Sequence, residues 1–444
     1  MADAAQRLAR FLGPKRLGYA WIAGATLWIG WLISVSLGSG NVDLAGQVIG
    51  TDYLEFYAAG LTVRLGESER LYDVAYQSQL QQTVIGPRLK VYYGFITPPF
   101  FAWVFAPLSL LPYVPSFAVW SLLGLLGLWL SLRLLGAAQP RRVLLWSLTW
   151  FPVFATISYG QNSLLSLMLL SLTWRLWRRG HSWPAGLVAS LLLYKPQLLL
   201  GVGLLWLLEA IAPHQAPGAS ADENVAQDGI LRHAPAIFRT LPRRPALTAL
   251  LGLAAGGGAL FALSVLGMPE ASRAYWEFAR TVLPNLPAWQ EFPLWNLHTV
   301  WGFWRLLLPA AARWADVLHW SFAIAGVVGF VVFWRRQRGR PALLYAAAIG
   351  LTLWATPHAM IYDWTLLLIP AVTLWQEAPA QRDRWKILFV AIWIASFVSG
   401  PLTHAQLRWL PVAVQISAPT LLIALGLAWR WVIRSNQPAA PHTA

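Results

Sequence analysis

Three residues of this chain are suited to moving a proton and holding an anion: Asp52, Lys195 and His358. Asp52 stands in Thr51-Asp52-Tyr53-Leu54-Glu55-Phe56-Tyr57-Ala58-Ala59-Gly60, just past the first long apolar run. An acid among aromatics at a membrane surface is a costly placement. It suits a general base, or else the N-cap of a helix, a position that Asp favours. Glu55, on the next turn, is a rival acid. Lys195 interrupts the apolar stretches Leu191-Leu192-Leu193-Tyr194 and Leu198-Leu199-Leu200. A charge there must face a cavity, an anion or an acid. It fits the phosphate of a lipid-linked group, or a structural pair with Asp363. His358, after Thr356-Pro357, can donate a hydrogen bond to phosphate or merely finish a helix. Gln161 and Asn162 carry both donors and acceptors, the equipment for reading sugar hydroxyls, although a polar hairpin tip needs the same residues. Tyr57, Asn296, Tyr362 and Asp363 complete the candidates for sugar or acceptor contacts. Arg64 and Arg88 are weaker phosphate candidates. The histidines are scattered and the acids form no DxD or HExxH pattern, so no metal or other cofactor is expected.

The elements that must position these residues follow from composition. The chain is 57% hydrophobic and only 11% charged, against about 25% charged for a soluble domain. That composition describes an all-α polytopic membrane protein. Its 28 Trp residues suit the membrane interface, where the ring is apolar and the N–H is wet. The net charge of +15 would suggest nucleic acid in a soluble protein. Here Lys and Arg sit in short loops between apolar runs, as the positive-inside rule requires, and no nucleic-acid partner is expected. The absence of Cys removes disulfides, thiolate metal sites and cysteine nucleophiles. Arg7, Arg10, Lys15 and Arg16 precede a long apolar stretch without a small-residue cleavage site, which reads as a retained first span starting in the cytoplasm.

The chain reads as a single integral membrane domain over residues 1–444. Residues 18–37 form the first span, 38–95 an outer loop carrying short amphipathic helices, and 96–211 a series of helical hairpins. Residues 212–245 form a mobile cytoplasmic linker, 246–435 the C-terminal spans and 436–444 a disordered tail. Several apolar runs are shorter than the roughly 20 residues that cross a bilayer. Treating 96–112 and 298–309 as re-entrant or interfacial reconciles the basic loops with one sidedness and leaves about 12 spans, both termini inside. The polar tips Gly160-Gln161-Asn162 and Lys195-Pro196-Gln197, Asn296 with His298, and Pro357-His358 with Tyr362 and Asp363 then all face outward. With 38–95 they line one cavity, since irregular backbone at membrane depth needs protein or water to satisfy it. The Gly256-Gly257-Gly258 run lies within a span and reads as packing or a kink.

The order Asp52-Tyr53-xx-Phe56-Tyr57-xx-Gly60, Leu71-Tyr72-Asp73, Pro98-Pro99, Pro107-Leu108-xx-Leu111-Pro112, Gly160-Gln161-Asn162, Lys195-Pro196-Gln197 and Thr356-Pro357-His358-xxx-Tyr362-Asp363 resembles glycosyltransferase family 87 of the GT-C superfamily, over about residues 18–435. That family includes a polyprenol-phosphate-mannose-dependent α-1,2-mannosyltransferase. The resemblance implies a GT-C-type helical bundle in the plasma (inner) membrane, with its active site on the outer (periplasmic or extracytoplasmic) face. It implies a polyprenyl-phosphate sugar donor and a glycan or glycolipid acceptor, with Asp52 at the position of the general base. Thr356, where the family often has Ser, and Asn296-Leu297-His298 depart from the usual pattern and bear on which sugar is carried. The competing class is a transporter or flippase of a lipid-linked sugar, which midplane breaks also suit. No inverted repeat is visible, and a long aromatic outer loop with an acid suits chemistry better.

Overall fold

A computed structural model describes residues 7–8, 10–87, 89–212, 245–284 and 292–435. Arg88, residues 213–244 of the expected linker at 212–245, and the expected tail at 436–444 lie outside the described residues. The described chain is all-helical, with no strand. Five helical stretches are long and apolar enough to cross a membrane: Lys15–Ser36, Tyr113–Leu134, Pro245–Gly267, Pro309–Arg336 and Pro379–Leu407. A sixth crossing arises if the bent pair Phe151–Tyr159 and Ser163–Arg178, at 117° to each other, counts as one.

This is fewer than the twelve or so anticipated, and the reason is local. Beyond 96–112 and 298–309, already expected to be re-entrant or interfacial, further apolar runs are cut. Gly160 takes a left-handed φ of +74° and ends one helix before Asn162 opens the next. Lys195 precedes a proline and is driven off the helical region, to φ −136° and ψ 72°, with a 3-10 turn on each side. What remains are shorter apolar helices, Ser182–Tyr194, Pro196–Ile211 and Pro341–Ala355. The last, at 1.5 Å per residue, is only about 23 Å long. The segment 96–112 holds a 3-10 turn, the four-residue helix Ala102–Phe105 and another 3-10 turn. Within 298–309 the helix is Val300–Leu307, about 12 Å long. Neither segment holds a helix long enough to cross by itself.

The outer loop differs from its expected form. The helix Tyr53–Arg64 is not an amphipathic surface helix: Tyr53, Leu54, Phe56, Tyr57, Ala58, Ala59, Gly60 and Thr62 are all buried. Gly60 lets it press against the backbone of Phe105, where a side chain would collide. Phe56 stacks on Phe105 at 4.9 Å, and Phe101 stacks on Tyr194 at 4.1 Å, so aromatic rings link this helix to the residue before Lys195. The amphipathic helix lies elsewhere, at Pro269–Thr281. Only Ala271 is buried there, Trp276 is 65% exposed, and the Tyr275 and Phe278 rings pack on Tyr72. Its start signal, a proline followed by Glu270, was legible. In the triple-glycine run the role is packing: Gly256 leaves room for Ser190 inside one unbroken helix.

Gly160 carries two demands at once. Its left-handed backbone disfavours any β-branched residue, and a Cβ there would overlap the Cβ of Tyr53. Gly160→Val is expected to cost about 2 kcal/mol or more and to lower the thermal unfolding midpoint of the detergent-solubilised protein by several degrees. An unchanged midpoint would contradict the packing described.

Candidate active site

The three chain breaks meet at one carboxylate. Asp363, only 3% exposed, accepts from Ser163 Oγ at 2.7 Å and Lys195 Nζ at 3.1 Å on Oδ1, and from the Met360 backbone N–H at 3.1 Å on Oδ2. Ser163 opens the helix after the 160–162 tip, and Lys195 stands between two 3-10 turns. Asp363 lies in the 3-10 helix Ile361–Leu367 beyond the third break. Neighbouring bonds hold the third loop: the His298 N–H donates to Ala359 O at 3.0 Å, and Thr299 Oγ1 donates to Pro357 O at 3.0 Å. Of the two readings of Lys195, the structural pair with Asp363 is therefore formed. It does not exhaust the lysine. An ammonium has three N–H donors, one bond is made to Asp363, and the head group also lies 5.0 Å from the centre of the Tyr362 ring.

Asp52 occupies the N-cap position of the 53–64 helix, yet its side chain makes no capping bond. It accepts instead from Gln161 Nε2 at 2.8 Å. Gln161 Oε1 in turn accepts from the Asn162 N–H at 3.4 Å, which orients the amide so that its NH₂ faces the acid. The carboxylate is half-buried. Burial pushes its pKa up to about 6, with the Gln161 bond and the Lys195 charge pulling the other way. Glu55, also half-buried, is pushed well above the usual carboxylate range by burial first and by the charge of Asp52 second. His358 is half-buried with its ring 5.9 Å from that of Phe292. Burial lowers its pKa below 6.5, with Asp363 opposing and Lys195 adding. The ring is thus neutral at pH 7 and offers one N–H.

The other candidates divide. The Tyr362 hydroxyl and the Asn296 amide make no hydrogen bond among the described residues and stay free for a ligand. Tyr57 donates to Leu111 O at 3.0 Å and packs edge-on to Tyr113, inside an aromatic cluster. Asn162 is wholly buried, with no protein partner for either amide atom. Arg64 lies at the opposite end of the 53–64 helix from Asp52, about 18 Å away along its axis, and its Nε donates to Ser109 Oγ at 3.0 Å. His298 is buried with Nδ1 2.7 Å from Ser417 Oγ. Asp73 caps the helix Val74–Ile85 through the Tyr76 N–H, so Leu71-Tyr72-Asp73 serves structure.

Four residues escaped the sequence reading. Ser163 supplies one of the three bonds to Asp363; its place directly after Gly160-Gln161-Asn162 was the available signal. Tyr159 and Tyr93 lie within reach of the Asp52 charge, and Tyr92 within reach of Glu55. The adjacent pair Tyr92-Tyr93 was visible, but not that its loop returns to the acids. Among the described residues no group of three or more His, Asp or Glu is arranged to hold a metal. The arrangement amounts to an ionisable carboxylate, a cation with spare donors, a neutral imidazole and free hydroxyls, gathered where the helices break. Such a set can take a proton from a hydroxyl and receive an anionic leaving group.

Removing the central carboxylate tests this construction. Asp363→Ala strands an ammonium, a hydroxyl and an amide together and is expected to cost about 3–5 kcal/mol. Lys195→Met leaves Asp363 two of its three donors and is expected to cost less. Thermal unfolding of the two variants, with Asp363→Ala unfolding first, checks the order; equal or absent effects would contradict it.

The model of glycosyltransferase family 87 matches residues 95–214. This stretch contains Pro98-Pro99, the 160–162 tip, Ser163 and Lys195, but not Asp52, His358 or Asp363. No curated protein and no solved structure matches the chain. The family match, together with the apolar helices, supports a membrane glycosyltransferase.

Proposed function

We propose that the protein transfers a hexose, such as mannose, from a polyprenyl-phosphate donor to a glycan or glycolipid acceptor. The observation that carries this reading is the electrostatic pairing across the site: a half-buried carboxylate, Asp52, held by Gln161 and within reach of Lys195. A sugar hydroxyl is a poor nucleophile, so Asp52 takes its proton as the oxygen attacks the anomeric carbon. The bond from that carbon to the phosphate oxygen breaks as the new glycosidic bond forms, and the electron pair leaves with the lipid phosphate. The spare N–H groups of Lys195 and the N–H of His358 offset the growing phosphate charge. A single displacement inverts the anomeric centre.

The helices also support an outward-facing site. The first span begins with Lys15 and Arg16 and runs toward the loop that holds Asp52. The helix Ser163–Arg178 starts at the 160–162 tip and ends with Arg175 and Arg178. The helix Pro341–Ala355 starts after Arg340 and ends before Thr356. Each carries its basic residues at the end away from the site, and the positive-inside rule puts those ends in the cytoplasm. This supports the reading of a plasma-membrane enzyme working on the outer face, with the lipid tail of the donor in the bilayer.

Two outcomes test the reading. In purified protein supplied with a polyprenyl-phosphate hexose and candidate acceptors, Asp52→Asn is expected to lower turnover by roughly 10²–10⁴-fold; full turnover would remove the base assignment. Flipping of intact donor across liposomes without transfer would favour the transporter. The pH profile carries the same assignment. The base works ionised, so the rate falls as pH drops through about 6 and is level above it. A rate that holds down to the ordinary carboxylate range would contradict Asp52 in this environment.

A further inference from the structure

Glu55 has no role in the scheme above, yet it is the least explained charge-bearing side chain of the site. It stands three residues after Asp52 in the same helix, so the two side chains share a face one turn apart. It is half-buried, and its carboxyl group has no hydrogen bond and no ion pair among the described residues. Arg64, on the same helix, is committed to Ser109, and Lys195, across the site, to Asp363. The groups that face Glu55 are Asp52 on its own helix, Lys195 from the break between the 3-10 turns, Tyr92 from the loop after the Val74–Ile85 helix, and Tyr362 from the Ile361–Leu367 helix. A polar group so placed with no protein partner normally pays for its position.

We propose that Glu55 determines acceptor specificity: it hydrogen-bonds a hydroxyl next to the one that Asp52 deprotonates, so the acceptor is a sugar presenting two adjacent hydroxyls rather than a simple alcohol. This rests on the transferase reading. Two carboxyl groups one turn apart suit two hydroxyls of a single ring. Their unlike surroundings separate their duties. The Lys195 cation acts on both acids, but only Asp52 receives the Gln161 N–H, so Asp52 is the acid that ionises more readily. Glu55 has no donor of its own, and burial and the Asp52 charge both favour its protonated form, which can donate a hydrogen bond. Glu55 therefore reads the acceptor and leaves the base in place. A site that pairs a substrate hydroxyl discriminates strongly against an analogue lacking it, because its own polar group is then stranded.

Two measurements on the full chain in lipid nanodiscs test this. Infrared spectra at pH 7.5 are expected to show a protonated-carboxyl band that vanishes in Glu55→Gln and persists in Asp52→Asn; a band unchanged by Glu55→Gln would overturn the proposal. With a polyprenyl-phosphate hexose as donor and octyl hexopyranosides as acceptors, Glu55→Ala is expected to raise the acceptor KM about tenfold while kcat changes little. Glu55→Gln, which keeps a neutral donor, is expected to restore the KM. The monodeoxy acceptor lacking the adjacent hydroxyl should lose the same factor in wild type and nothing further in Glu55→Ala. An unaltered KM in Glu55→Ala, or a Glu55→Gln variant as defective as Glu55→Ala, would overturn the specificity role. If wild type transfers to none of these acceptors, the transferase reading is what fails, and the infrared band still decides whether Glu55 holds its proton.

Discussion

The site depends on one buried carboxylate. Asp363 gathers a lysine, a serine hydroxyl and a backbone amide from three separate interruptions of the helical packing. Each interruption exposes backbone groups that membrane depth does not forgive, and each is tolerated because it meets the others at a satisfied centre. The pair with Lys195 is almost fully enclosed, with side-chain exposures of 14% and 4%. Such a pair adds little net stability over an apolar alternative, but losing one partner is expensive. Its value is therefore register: it holds the 160–162 tip, the 195 break and the 356–363 loop at fixed distances. Gln161 and Asp52 can then meet at 2.8 Å.

That register places two acids of one short helix in different surroundings. The helix around Asp52 and Glu55 is buried rather than surface-lying, clamped by Gly60 against Phe105 and by Tyr53 against Gly160. Tyr53 also reaches Ser116 at 2.6 Å through its hydroxyl. A rigid helix carries both carboxyl groups into surroundings that raise their pKa values. Only Asp52 then receives a donor from the protein. The difference between them arises from placement, since the two side chains differ by a single methylene.

Much of the site was legible in the sequence because charges and turn residues are costly inside a membrane. Lys195, Asp363, His358 and Gln161 all announced themselves as interruptions of apolar runs, and the structure brings them to one region. What stayed hidden depended on packing. Asn162 looks the same as Gln161 in sequence, yet one faces Asp52 and the other is enclosed. The 53–64 helix has an apolar face that reads as amphipathic, but neighbours cover its remaining sides as well. The count of about 12 crossings is not confirmed, because apolarity measures what a segment tolerates, whereas Gly160 and Pro196 decide whether it continues as one long helix. The amphipathic helix Pro269–Thr281 fell between two apolar runs and so escaped a reading based on apolarity.

The central claim is geometric: donor phosphate and catalytic base sit on opposite sides of one anomeric carbon. A structure determined with a polyprenyl phosphate bound tests it most directly. The account predicts the phosphate within hydrogen-bond reach of Lys195 Nζ and His358, with the Asp52 carboxylate across an open space sized for a sugar ring. A phosphate bound away from Lys195, or one resting directly against Asp52, would contradict it.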